Sequence, residues 1–313
     1  MEPVLRRFDQ PVTGVSNASV VPFRAAKSNI LPFSTASELL EIEPSASGTL
    51  TDQTGSRLSA QLHDILRDRA LSAVFQPIIR LDCGKVAAYE GLIRGPKNHP
   101  LHSPYDLFKA ARKCNLTAEL EKLCRQVILS KYVELGLPGK IFLNISPQRL
   151  MEPKDELDAR LEYLGHIGIS PERIVLELTE HQATFDYDRM RRAVERCRKR
   201  GFQIAIDDLG EGFSSLRLWS EIRPDYVKID MHFIQGMEHD PVKLQFVQSI
   251  QLIAAKSGTV TIAEGIETEQ QMLLLQQLGV ACGQGYHIER PNPHPTGLVS
   301  ADLAQRLRNA GNS

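Results

Sequence analysis

Net charge is the first thing missing from this sequence. Its 37 Lys and Arg stand against 38 Asp and Glu, a formal charge of -1 at neutral pH. A protein that coats long nucleic acid by neutralising phosphates is thereby excluded. A small phosphorylated ligand stays open, because local charge decides that question. Cysteine is also scarce. Cys83, Cys114, Cys124, Cys197 and Cys282 are scattered and form no C-x-x-C pair. That pattern fits reduced intracellular thiols, buried or incidental rather than reactive. No apolar run is long enough to span a bilayer. Arg6 and Arg7 are not followed by the apolar segment of a secretory leader, so a cytoplasmic location is expected. The nine histidines show no paired metal-ligand spacing.

What is present begins late. Residues 1–56 are rich in Ser, Thr, Ala and Pro, with apolar residues mostly in ones and twos. Such a stretch buries too little to offset its ordering entropy, and a disordered tail is predicted. Within it, Ser37 is the N-cap of at most one helical turn before Pro44. From residue 57 the texture changes. Leu58, Leu62, Ile65 and Leu66 recur at helical spacing and announce a helix leading into a folded domain, 57–313. Residues 72–79 and 86–94 read as two strands around the turn Asp82-Cys83-Gly84-Lys85, an antiparallel hairpin in which Pro77 argues for an edge or a bulge.

Helix and strand then alternate. Helices are predicted over 104–113, 117–135, 154–165, 186–200, 241–257, 267–278 and 298–309. Strands fall at 141–145, 174–180, 202–208, 225–230, 259–264 and 281–286. Apolar strands between amphipathic helices argue for an α/β fold with a parallel sheet. About eight strands in roughly 250 residues fits a closed (β/α)8 barrel of the TIM type. An open doubly wound sheet is the alternative.

One stretch organises the rest. Phe202-Gln203-Ile204-Ala205-Ile206 reads as a buried strand, and it ends on Asp207 and Asp208 before a loop punctuated by Gly210 and Gly212. Two carboxylates about 4 Å apart repel by roughly 4 kcal/mol at an effective dielectric of about 20. Either one is protonated or a cation lies between them. A solvated turn is the bland alternative for any single Asp-Asp pair. In a barrel, however, the C-terminal strand ends converge on one mouth. Those ends carry Glu90, Asn144, Glu177, Asp207 with Asp208, Lys228 with Asp230, Glu264 and Gln284. So many anions facing one cavity call for cations. Oxygen ligands without His or Cys favour Mg²⁺ or Mn²⁺, and room for two ions suggests phosphoryl chemistry. Lys228 is then either a counter-ion or a group that orients water, and Arg94 either a phosphate ligand or a surface residue. Gly210-x-Gly212-x-x-Ser215 lacks the third glycine of a dinucleotide loop and follows two carboxylates, which argues against a Rossmann site.

In order along the chain come Phe75-Gln76-Pro77-Ile78, Tyr89-Glu90-Gly91-Leu92-Ile93-Arg94, Asn144-Ile145-Ser146-Pro147 and Glu177-Leu178-Thr179-Glu180. Asp207-Asp208-Leu209-Gly210, Lys228-Ile229-Asp230, Ala263-Glu264-Gly265-Ile266-Glu267 and Gln284-Gly285-Tyr286 follow. Together these resemble the EAL domain family of cyclic di-GMP phosphodiesterases, a bacterial second-messenger signalling family, from about Leu58 to Pro291. The resemblance implies a modified TIM barrel with an antiparallel first strand. It implies one metal ion on Glu90, Asn144, Glu177 and Asp207, and a second between Asp207, Asp208 and Glu264. A hydroxide shared by the ions would open cyclic di-GMP in line to linear pGpG. Lys228 would polarise that water, Gln284 would position it, and Arg94 would grip the phosphate. Gln76, Asp230 and Glu267 would line the dinucleotide, and Glu180 would brace the loop at 210–215, a segment the family uses in dimerisation.

Three positions depart from the family pattern: Gly91 stands for the alanine of its signature, Leu209 for a phenylalanine, and Glu211 for a small residue. No implied ligand is lost. A receptor that binds cyclic di-GMP without cutting it, or a protein-interaction scaffold, are the rival readings. Intact ligands disfavour the first, and Arg94 with Gln284 disfavours the second.

Overall fold

The computed structural model describes residues 50–152, 154–179, 186–210 and 215–310. Residues 1–49 with the Ser37 turn, Glu180, and Glu211 with the loop through Ser214 lie outside them. Helix α1 (Leu50–Arg67) begins ahead of the apolar spacing that announces it, because its first residues carry no apolar stripe. Leu62 and Ile65, on its buried face, dock into the core.

Strands β1 (Ser72–Arg80) and β2 (Val86–Arg94) pair antiparallel, with Gln76 opposite Glu90. Strands β3 (Lys140–Ile145), β4 (Ile174–Thr179), β5 (Gln203–Leu209), β6 (Tyr226–Ile229), β7 (Val260–Ala263) and β8 (Cys282–Gly283) follow in parallel. β8 then closes onto β1, again antiparallel. Closure is the reason Pro77 sits on no free edge. A register shift at Ile78/Ile79 supplies the irregularity beside it. Above the short β8, Phe75 exchanges two backbone hydrogen bonds of 2.9 Å with Asn292, which continues the wall.

Helices α2 (Pro104–Lys113), α3 (Thr117–Glu134), α5 (Lys154–Ile167), α6 (Tyr187–Arg198), α9 (Pro241–Ser257), α10 (Glu269–Gln277) and α11 (Ala301–Ala310) match the expected positions to within a few residues. Their ends follow from local chemistry. Asp240 caps α9 through the amides of Val242 and Lys243, and Gly258 closes it at φ 72°. Thr268 and Gln271 form a capping box on α10. Three helices escape sequence reading: α4 (Pro147–Leu150), α7 (Ser215–Ile222) and α8 (Met231–Ile234). The first and third are single turns, too short for periodicity to register. In α7, exposed Leu216 lies off the face of buried Leu218, Trp219 and Ile222, so the apolar stripe is blurred.

Strand alternation divides the core. Outward side chains such as Ile141, Leu143, Leu176, Leu178 and Ile204 pack under the helices. Inward ones, Ile78, Ala88, Phe142, Val175, Ala205, Ile262 and Cys282, plug the barrel. One pleat further towards the mouth, two residues on in every parallel strand, the inward positions become Glu90, Asn144, Glu177, Asp207, Glu264 and Gln284. Lys228 stands in the same relation to Tyr226, which packs against the plug. Gln76 lies two residues before Ile78 because β1 runs the other way. A period of two thus stacks a polar ring on an apolar floor.

Candidate active site

The ring is drawn together by Lys228, which is 1% exposed. Its Nζ lies 2.7 Å from Glu177 Oε1, 2.7 Å from Glu264 Oε1, 2.9 Å from Asp207 Oδ1 and 3.5 Å from Glu90 Oε2. Gln284 extends the network: its Nε2 donates to Glu90 Oε2 at 2.6 Å and to Gln76 Oε1 at 2.9 Å. Gln76 in turn donates to the carbonyl of Glu289 at 3.1 Å.

One ammonium faces four carboxylates, and the electrostatics show the imbalance. Burial pushes the Glu177 and Glu264 carboxyls well above the usual range. Lys228 opposes that shift in both, and neighbouring carboxylates, Asp207 and Glu90, add to it. For Lys228 burial pulls downward, but Asp207, Glu177, Glu264 and Glu90 outweigh it and hold the ammonium protonated well above its ordinary value. Glu177 Oε2 is buried with no hydrogen-bond partner among the described residues. An orphaned buried carboxylate oxygen is costly, and a cation of higher charge than an ammonium resolves it.

Asp207 and Asp208 are adjacent, and in a regular strand they would face opposite sides. The pairing of β5 with β6 slips between Ile206 and Leu209, and Asp208 takes a left-handed backbone at φ 52°. Both carboxylates therefore gather with Glu264, with one oxygen of each lying within 4.8 Å of the others. Gly210 completes the turn at φ 120°, where a Cβ would stand 2.1 Å from the Phe233 ring, so only glycine fits. Oxygen-only donors of this kind suit hard divalent cations, and the set fits them.

Other expected residues stand apart from the Lys228 network. Asn144 is exposed at the rim, level with Glu177 across β3 and β4. Beside it a groove of about 660 Å³ opens between Phe108, Arg112, Gln148 and Arg149. Arg94 is half-buried and donates from Nη1 to the Ile93 carbonyl at 2.8 Å. Asp230 is buried and caps α8 through the His232 amide at 2.8 Å. Glu267 is exposed and accepts from Gln235 Nε2 at 3.1 Å. Phe233, packed over the Asp207–Asp208 turn, is not singled out by the sequence; its signal is the glycine that must make room for it.

Comparison with known proteins gives this arrangement relatives. The model of the EAL domain family matches residues 59–291. The probable cyclic di-GMP phosphodiesterase PdeB of Escherichia coli K12 is 29% identical over 240 residues, 74% of this chain and 45% of PdeB. Among solved structures, a standalone versatile EAL protein from Vibrio cholerae O395, with c-di-GMP bound, superposes with a TM-score of 0.67 at 26% identity, covering 75% of this chain and 97% of that one. Klebsiella pneumoniae BlrP1 in a manganese and cyclic di-GMP complex gives a TM-score of 0.65 at 25% identity, over 71% of this chain and 56% of BlrP1. The chain spans less than half the length of the curated relatives it matches first. With the family's signature residues meeting around one lysine in a closed barrel whose first strand is antiparallel, the chain belongs to the EAL domain family.

Proposed function

We propose that this chain hydrolyses cyclic di-GMP to linear pGpG with two Mg²⁺ or Mn²⁺ ions per site, in the cytoplasm and as a homodimer. The observation that carries the reading is the convergence of Glu90, Glu177, Asp207 and Glu264 on a single ammonium, with one Glu177 oxygen unpartnered. Glu90, Asn144, Glu177 and Asp207 would hold one ion, and Asp207, Asp208 and Glu264 the other. When bound, the ions supply Lewis acidity to a water nucleophile and to the phosphodiester.

The protein's own groups do the rest. Water oxygen adds to phosphorus as the bond to a ribose 3′ oxygen breaks, and the proton the water gives up ends on that departing oxygen. Lys228, held protonated, is a donor rather than a base: it orients the water and offsets phosphate charge. Glu264, 2.7 Å from Lys228 Nζ, is the carboxylate assigned to relay the water's proton to the departing oxygen. Gln284 fixes the water's approach from the Glu90 side, and Arg94, at the end of β2, exchanges the Ile93 carbonyl for the phosphate. Gln76, Asp230 and Glu267 flank the dinucleotide; the bracing of the loop at 210–215 by Glu180, which the family implies, falls on residues outside the described ones. No helix among the described residues is long and apolar enough to cross a membrane.

The test is incubation of the chain, Glu90→Ala and Glu264→Ala with cyclic di-GMP and Mn²⁺, followed by chromatography. Linear pGpG from the parent alone is expected. Saturable binding without turnover would make the chain a receptor, and no binding a scaffold.

A further inference from the structure

On the outward side of β3 and β4, between the barrel wall and helices α3 and α5, lies a cavity of about 230 Å³. Its walls are largely apolar, with Leu129, Leu143, Leu157, Leu176 and Phe202 among them, yet Arg125, Arg149 and Arg160 also line it. Two acids among the described residues pair with them. Glu121 Oε2 lies 3.4 Å from Arg125 Nη1 and 3.8 Å from Arg149 Nε, and also accepts from Ser146 Oγ at 3.2 Å. Glu152 is shared by Arg149 and Arg160. Among the described residues, these three arginines share two carboxylates, and Lys122 adds a further cation to the lining.

Arg125 is served worst. Its side chain is 13% exposed, and its ion pair is the long one to Glu121. Burial and the nearby Arg160 lower its pKa from the ordinary guanidinium value. A largely buried guanidinium with a long ion pair, at the wall of an apolar cavity, complements one anionic head on an apolar tail. At about 230 Å³ the cavity is smaller than the roughly 300 Å³ of an ordinary ligand pocket, so the occupant is small. Ile145 and Arg149 line both this cavity and the groove beside Asn144.

We propose that this cavity is a binding site for a free medium-chain carboxylate, its tail among Leu129, Leu143 and Leu157 and its head on Arg125. The site is separate from the acid cluster but backs onto it. Leu143 and Ile145 flank Asn144 in β3, and Leu176 precedes Glu177 in β4, so an occupant presses on the strands that carry those two residues.

The experiment is isothermal titration of the full chain, free of metal and nucleotide, with octanoate and with octylamine. The same titrations are run on Arg125→Met and Leu157→Trp, with thermal unfolding as the check on folding. One saturable octanoate site is expected, with octylamine weaker by at least about tenfold. Either substitution should weaken octanoate by a similar factor, the first by removing charge and the second by filling space. No octanoate binding, equal binding of both amphiphiles, or octanoate binding untouched by Leu157→Trp would each overturn the proposal. Should Arg125→Met not fold, the comparison of head groups on the parent decides the role of charge. Because neither metal nor cyclic di-GMP is present, the outcome is independent of the phosphodiesterase reading.

Discussion

A methyl group on Gly91 would stand 2.3 Å from Cγ2 of Ile128 and 3.3 Å from Cδ1 of Ile141. The departure at the family's signature alanine is therefore a packing exchange: Ile128 of α3 fills the space, and the neighbouring Glu90 keeps its place in the polar ring. Gly91→Ala is expected to cost about 1–3 kcal/mol by overpacking. Ile128→Ala opens a cavity and also destabilises, but Gly91→Ala added to it should cost much less than in the parent. Urea unfolding of the four proteins measures that coupling, and strict additivity would contradict the assignment.

Lys228 neutralises the cluster from within. Lys228→Met leaves Glu90, Glu177, Asp207 and Glu264 without their shared cation. Breaking a buried charge arrangement by removing one partner costs about 3–5 kcal/mol. Thermal unfolding in EDTA should show the variant well below the parent, and added Mn²⁺ should raise its Tm by more than it raises the parent's. Equal metal-induced shifts would mean that the ammonium and the metal do not compete for the same oxygens.

Burial pushes the thiol of Cys124 up to about 12 and those of Cys197 and Cys282 to about 11. Alkylation needs the thiolate, so these three should resist iodoacetamide at pH 8 in the folded chain. Cys83 and Cys114 are partly exposed and should react. Peptide mass spectrometry before and after denaturation reads the difference. Modification of Cys197 in the native protein would place α6 differently against the barrel.

Much of this was legible in the residues, for a definite reason. Parallel strands repeat every two residues, so a carboxylate or amide at each C-terminal strand end projects the polar ring without coordinates. Glu90, Glu177, Asp207 and Glu264 are brought together as that pattern predicts. The sequence left Lys228 open between counter-ion and water-orienting group, because only distance decides between them; in the structure it is the hub. Gln76 comes from a strand running the other way, so it joins the ring from before the apolar plug residue rather than after it. Asp208 needs a register slip to join Asp207, and no propensity announces one. The arginines behind β3 and β4 sit on three separate helices, α3, α4 and α5, and only tertiary packing unites them.

The ring of acids is proposed to hold divalent cations. Titration of the metal-free chain with Mn²⁺, followed by electron paramagnetic resonance of the free ion, tests it most directly. Two ions should bind to each parent chain, and Asp207→Asn, which alters the carboxylate shared by both proposed sites, should weaken the binding of both by at least about tenfold. A parent that binds no Mn²⁺, or a variant that binds it as the parent does, would contradict the account.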